Sequence, residues 1–427
     1  MTQSAAAPPP PAVAEQLPAP RTSQRFWPAP TGKPVGAGVA DTPRLLNRLQ
    51  IAGMATVLLF GLLSGLVQFL SYQSDGRAAD DTEQLVRIQE IQSNLLELDA
   101  IATNLVLIGG EGDHAREAQY DAALTDVLEQ IAAAADAQSA DEKALAALNV
   151  QVNDYATAIA QARANIRQGF PIGKEYVSEA SQALRDDSVP ILTNLVDANT
   201  QRAEDSMAGQ HPFYLLLIGI VALTVLVWIS MMLARRFRRY LNVGVAVAMA
   251  IVALVTLVAA IAAWRGDNQN DDLLNKQLKV AVDQAAARTA GNDAKANESL
   301  RLLNRGSGAK YEDPWIAAAK VVTSKAADSI LDDWRTYADI HAKIVDNDER
   351  DIRQPAIRSA TGESTTAFDA FDKAAQKLVD DNGRTTTDEL RAGRGIALIG
   401  SLLTLVLGFV AAVAIARGIG ARRKEYA

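Results

Sequence analysis

Only three histidines stand in the 427 residues, at His114, His211 and His341, and cysteine is absent. No two of the histidines have the spacing of a metal pair, so no metal site is expected. Disulfides are excluded for want of thiols. The glycine stretches Gly109-Gly110 and Arg305-Gly306-Ser307-Gly308 read as turns between helices rather than phosphate loops. The acidic pairs Asp271-Asp272 and Asp380-Asp381 read as solvated helix surface. No catalytic, metal or cofactor-binding residue is therefore nominated, and the chain is not expected to be an enzyme. The chemistry that stands out is for binding. Arg235, Arg236, Arg238 and Arg239 crowd a short loop and could hold anionic lipid or a partner. Arg25, Phe26 and Trp27 put a cation and two aromatic rings inside a proline-rich tail, where they form either a short docking motif or a membrane-surface contact.

The elements that must position these residues are set by hydropathy. Residues 51–72, 213–234, 243–264 and 396–416 are apolar and carry no charge. At about 1.5 Å per residue each spans roughly 30 Å, the thickness of a bilayer's hydrocarbon. A membrane protein with four transmembrane helices is expected. A cleavable leader is not, because the first apolar run lies behind a long polar tail. The tail, with Arg44 and Arg48 that precede the first span, the loop and the C-terminal end together hold 13 basic and 3 acidic residues. Residues 73–212 hold 9 basic and 24 acidic, and residues 265–395 hold 20 and 23. Basic residues stay in the cytoplasm. Residues 1–43, 235–242 and 417–427 are thus assigned inside, and the two large segments outside the plasma (inner) membrane. The acidic first segment could steer a basic partner or simply keep the unit soluble.

Residues 1–43 are too rich in proline and alanine to bury a core. Residues 73–212 read as four helices. Leu85, Ile88, Leu95, Leu98, Ala102, Leu105 and Ile108 follow a heptad, with Gln92 filling one core position. Tyr120, Leu124, Val127 and Ile131 give a second stripe, and Leu145, Leu148, Val152, Tyr155, Ile159, Ala162 and Ile166 a third. A break at residues 168–173 precedes a fourth helix over about 174–206. Residues 265–395 repeat the plan, with helices expected near 265–305, 312–326, 327–349 and 361–393. Asp154-Tyr155-x-Thr157 matches Asp333-Trp334-x-Thr336, and Leu195-Val196-Asp197-x-Asn199 matches Leu378-Val379-Asp380-x-Asn382. Asn199 and Asn382 each stand 14 residues before the next span, a register that points to duplication. The repeat-related positions Asp154, Tyr155, Asn199, Asp333, Trp334 and Asn382 are read as structural. The fold expected is all-α, with two extracytoplasmic four-helix bundles in tandem, each standing on its own apolar core.

The spans contain no ionisable residue, which argues against a transport pathway. Gly61-x-x-x-Gly65 and Gly408-x-x-x-Ala412 favour close helix packing. What remains is mechanical: a shift in an outer bundle delivered along helices that enter the membrane unbroken.

This layout resembles the GlnX-type transmembrane proteins of actinobacteria, on the architecture and on stretches such as Leu95-Leu96-Glu97-Leu98-Asp99 and Asp197-Ala198-Asn199. Each outer segment also resembles the helical sensor domains of bacterial chemoreceptors, although their cytoplasmic signalling hairpin has no counterpart here. The GlnX resemblance implies two protein partners. One is an extracytoplasmic lipoprotein that binds amino acids, and the other is a cytoplasmic Ser/Thr protein kinase. It implies a relay that senses Asp, Glu, Asn or Gln. Membrane lipid is a further partner, nucleic acid is not, and a homodimer stays open. Two alternatives stand beside the relay: a direct ligand-binding sensor of chemoreceptor type, and a membrane scaffold without ligand response.

Overall fold

The computed structural model describes residues 42–108, 114–209, 212–237, 242–304 and 306–425, and among them every regular element is helical. Helix α1 (Thr42–Ile108) runs without a break from the first apolar stretch into the first polar unit. Helices α2 (His114–Ala137), α3 (Glu142–Arg167), α4 (Ile172–Ala183) and α5 (Val189–Met207) complete that unit. Helix α6 (Pro212–Phe237) and the start of α7 (Val243–Asp272) are apolar again. Helix α8 (Lys279–Leu303) opens the second unit, followed by α9 (Glu312–Lys325), α10 (Asp328–Glu349), α11 (Arg353–Thr361) and α12 (Glu363–Glu425). Helices α1, α6, α7 and α12 each carry a stretch long and apolar enough to cross a membrane.

The stripes form the interior as expected. Leu85, Ile88, Leu95, Leu98, Ala102, Val127, Ile131, Leu148, Val152 and Ile159 are buried. Gln92 is a correction. It stays half-exposed and donates to Thr193, while Ile91 and Ser93 are buried around it. Helix α1 is wrapped by neighbours on more than one side, so a single stripe cannot describe it. Short helix α11 was also not expected from the sequence. The turns before α4 and after α8 each need a left-handed residue, supplied by Gly169 (φ 78°) and Gly306 (φ 79°).

Two π turns interrupt the long helices, Leu184–Ser188 between α4 and α5 and Leu273–Leu278 between α7 and α8. The first has a local cause. Pro190 offers no N–H to the carbonyl one turn earlier, and the widened turn takes up the mismatch. No proline accompanies the second.

The units do not stand alone, contrary to the expectation of separate cores. One apolar cluster joins Leu95, Leu98 and Val106 of the first unit to Leu300, Leu302, Leu303 and Ile344 of the second. Helices α1, α5, α8 and α12 make the common centre. The same α1 and α12 lie together in the apolar region. A side chain at Gly61 would place its Cβ 3.2 Å from Gly408 Cα, so the two backbones touch there. Gln68 donates to Thr404 (2.9 Å) and Ser401 to the Gly65 carbonyl (2.8 Å), which tie the same pair of helices. At the far end Asn242 caps α7 through Gly244 N (3.0 Å) and donates to the Gly418 carbonyl on α12 (3.1 Å).

Candidate functional site

Each unit buries a carboxylate at the heart of its bundle on its first helix. In the first unit this is Asp99 of α1, fully buried. Tyr155 Oη donates to its Oδ1 (3.0 Å), and Ser181 Oγ and Arg185 Nη1 donate to its Oδ2 (2.6 and 2.8 Å). Arg185 stands in the first π turn and reaches further, with Nε 2.7 Å from Asp293 Oδ1 on α8 of the second unit. One guanidinium therefore bridges the units. Burial alone would lower its pKa, but Asp99 and Asp293 outweigh that and raise it. Burial, seconded by Asp99, pushes the Tyr155 hydroxyl well above its usual range, so it stays a donor.

In the second unit the carboxylate is Glu298 of α8, again buried. Oε1 accepts from Lys295 Nζ and Ser364 Oγ (both 2.7 Å), and Oε2 faces His341 Nδ1 (2.9 Å). Burial would raise the Glu298 pKa, but Lys295 and His341 hold it down at about 2. Burial opposes a charged His341, yet hydrogen bonding to Glu298 and the nearby Glu312 raises its pKa. The Glu312 contact, at 3.5 Å from Nε2, is an ion-pair distance rather than a hydrogen bond. The imidazole stacks on Trp315 with ring centroids 3.9 Å apart.

The two centres share one element of the expected repeat, the serine, while the acids and rings stand at different registers. Ser181 and Ser364 are separated by the same 183 residues that separate Asn199 from Asn382. Each serine donates from the unit's last long helical segment to the carboxylate on its first, and each carboxylate meets a ring from the unit's third helical hairpin arm, Tyr155 on α3 or His341 on α10.

A third polar contact again crosses the units. Arg288 of α8 is buried and pairs through Nε and Nη2 with Asp372 of α12 (2.9 and 3.1 Å). Its Nη2 also donates to Glu97 of α1 (2.6 Å) and its Nη1 to Asn94 (2.7 Å). Burial and the neighbouring Asp372 push the Glu97 carboxyl up to about 7 despite Arg288. Ser93 and Thr289 share a hydroxyl hydrogen bond beside it (2.8 Å). A slide of α1 against α8 must break these pairs and leave charges buried, so the helices have discrete seats rather than a continuum.

The positions nominated from the sequence divide. Arg25, Phe26, Trp27, Arg238 and Arg239 lie outside the described residues, as do His211 and Gly109-Gly110. Arg235 is exposed near the end of α6; Arg236 lies in its last turn. Asp154 is exposed and Asp333 half-buried. Tyr155 joins the Asp99 centre, whereas Trp334 packs with Trp315, Tyr337 and Phe371. Asn199 donates to its own Leu195 carbonyl (2.8 Å) and to Asp141 (2.9 Å), where Arg202 also pairs. Asn382 makes the matching bond to Leu378 (2.8 Å) without the carboxylate.

Asp99, Arg185, Asp293, Glu97, Arg288, Asp372, Lys295 and Glu298 escaped the sequence reading. One signal existed. Asp99 stands four residues after Leu95 and three before Ala102, on the buried stripe itself. Residues 291–303 hold lysine, glutamate and arginine and read as a solvated helix, yet the face is covered all round.

No curated protein and no solved structure matches the chain. The family model for an actinobacterial sensor domain matches residues 74–208, the part of α1 beyond its apolar stretch together with α2 to α5. The first helical unit is thus similar to actinobacterial sensor domains, and the chain carries this sensor-like unit on four helices suited to span a membrane.

Proposed function

We propose that the chain is a transmembrane signal relay, with both units outside the cytoplasm and the basic ends inside. The observation that carries this reading is continuity: α1 and α12 each pass from the paired units through an apolar stretch as one helix, packed against each other in both regions. A change in how the units meet moves the far ends of the same helices. The polar seats between α1 and α8 supply alternative registers. The relay acts without catalysis of its own. Its input is an amino acid, Asp, Glu, Asn or Gln, delivered by a solute-binding lipoprotein docked on the units, and its output is a cytoplasmic Ser/Thr kinase. The resemblance to GlnX-type proteins supports these partners, and the sensor-domain match supports the sensing role. Crosslinking in intact cells, with and without external aspartate or glutamate, followed by affinity purification and mass spectrometry, tests it. Recovery of an amino-acid-binding lipoprotein together with an amino-acid-dependent kinase is expected. Recovery of envelope proteins alone, indifferent to amino acids, would replace the relay by a scaffold.

A further inference from the structure

A small cavity of about 40 Å³ lies between the units, walled by α1, α2, α8 and α12. That is room for a few water-sized groups. Its lining includes Glu97, Asn292, Asp369 and Asp372, with Arg116 and Lys295 as the cations. The cations are already engaged. Lys295 uses its three protons on Glu298 Oε1 (2.7 Å), Ser364 Oγ (2.9 Å) and the Ala360 carbonyl (3.0 Å). Arg116 donates to Asn104 and to the Thr361 carbonyl. The acceptors are not saturated. Asn292 is fully buried, and its amide orientation is fixed because Nδ2 donates to Asp372 (2.7 Å) and to the Arg288 carbonyl (3.2 Å). That leaves Asn292 Oδ1 without a hydrogen-bond partner in the protein. Asp369 has no hydrogen bond or ion pair to a described residue, and Glu97 is bonded only through Oε2.

We propose that this cavity is a binding site for a primary ammonium group, held by Asn292 Oδ1, Asp369 and Glu97. An ammonium offers three N–H donors in the volume of one or two waters, and three acceptor residues with unfilled capacity line this one cavity. Among the described residues no three His, Asp or Glu side chains are grouped as metal ligands, so donors rather than a metal answer this acceptor set. The rest of the ligand faces the side where exposed Gln119 closes the cavity. The ammonium belongs either to a simple amine or to an amino acid. Since the walls come from both units, occupancy ties α1 and α2 of the first to α8 and α12 of the second. The site stands whether or not a solute-binding protein docks.

Protonation supports the geometry. Glu97 is pushed up by burial and by Asp372, and Asp369 is raised by burial, because Arg288, Lys295, Arg116 and Lys373 do not balance the local acids. A bound ammonium adds the missing positive charge and lowers both. Binding near pH 7 should then release protons and tighten as the pH rises through about 7.

The test is calorimetric titration of the full chain in lipid nanodiscs with methylammonium, L-glutamate, succinate and tetramethylammonium. Methylammonium is expected to bind with proton release, and tetramethylammonium and succinate are not, since neither has an N–H. Competition between L-glutamate and methylammonium identifies an amino acid as the source, and methylammonium without L-glutamate identifies a simple amine. Asp369→Asn should weaken methylammonium by at least about tenfold, the loss of one charge-assisted hydrogen bond, at an unchanged unfolding midpoint. Asp369→Glu should retain binding. The proposal is overturned if methylammonium does not bind the parent chain, if succinate or tetramethylammonium competes with methylammonium, or if Asp369→Asn binds as the parent does. None of those results touches the partners recovered by crosslinking, so the relay stands or falls separately.

Discussion

The two units each bury a carboxylate on the first helix, at different registers, and surround it differently. Around Asp99 the ring is a tyrosine and the cation an arginine shared with the other unit. Around Glu298 the ring is a histidine and the cation a lysine from one turn earlier on the same helix. Their interiors differ likewise: the second unit stacks Trp315, Trp334, Tyr337, Phe368 and Phe371, while the first is mostly aliphatic. The first centre thus ties the two units together. The second is a self-contained cluster with a titratable member. The serine keeps its register in the two units, while the acid, the ring and the cation do not.

Neutralising each acid should break the symmetry most visibly. Glu298→Gln leaves Lys295 buried without its carboxylate and His341 with only the longer Glu312 contact, and a loss of about 3–5 kcal/mol is expected. Asp99→Asn leaves Arg185 its second partner Asp293, and the expected loss is about 1.5–3 kcal/mol. Thermal unfolding of both variants in the same detergent decides the order; equal or reversed losses would contradict the contrast drawn here.

Of the two carboxylate centres, the one in the second unit should carry the pH response. Because the His341 pKa is raised in the folded state, its contribution is fully present below about pH 6.5 and is lost as the pH climbs through the raised value. Tyr155 and Arg185, whose pKa values are both raised, keep their protons throughout that range. Glu298 contributes above about pH 4.5, and that part fades as the pH falls toward 2. Trp315, stacked on His341, reports the first step: its emission should rise with pH in the parent, and the step should vanish in His341→Gln. A flat titration in the parent would show that His341 does not carry the charge.

The smallest contrast concerns the repeated asparagines. Asn199→Ala should cost about 1–3 kcal/mol, since it strands the buried Asp141 contact. Asn382→Ala removes only a bond to its own helix and should cost under about 1 kcal/mol. Urea denaturation of the pair measures the difference, and similar costs would mean that Asp141 gains nothing from Asn199.

The helices were legible because their stripes obey one period. Leu145 to Ala162 on α3 are buried at the expected positions, and the break at Gly169 is where φ turns positive. The apolar runs followed from composition, and the small-residue spacings marked faces for close packing, although not that Gly61 would meet Gly408. The pairing of the units did not follow, because it buries polar residues. Arg288, Lys295, Glu298 and Arg301 on α8 have the composition of a solvated face, yet all four are buried, and Arg288 is bonded to Asn94 and Glu97 of the other unit. The π turn that aims Arg185 was hidden too. Pro190 marks a disturbance, but not the direction in which the side chain is turned.

The central claim is that breaking the tie between the units moves the other end of the spans. The absence of cysteine allows clean labelling. Nitroxides at Ile51→Cys on α1 and Arg417→Cys on α12, both exposed, report the span ends farthest from the units. Electron–electron double resonance should give a shifted or split distance distribution when Arg185→Ala is added. An unchanged distribution there, alongside a changed distance between labels on the two units themselves, would contradict the relay.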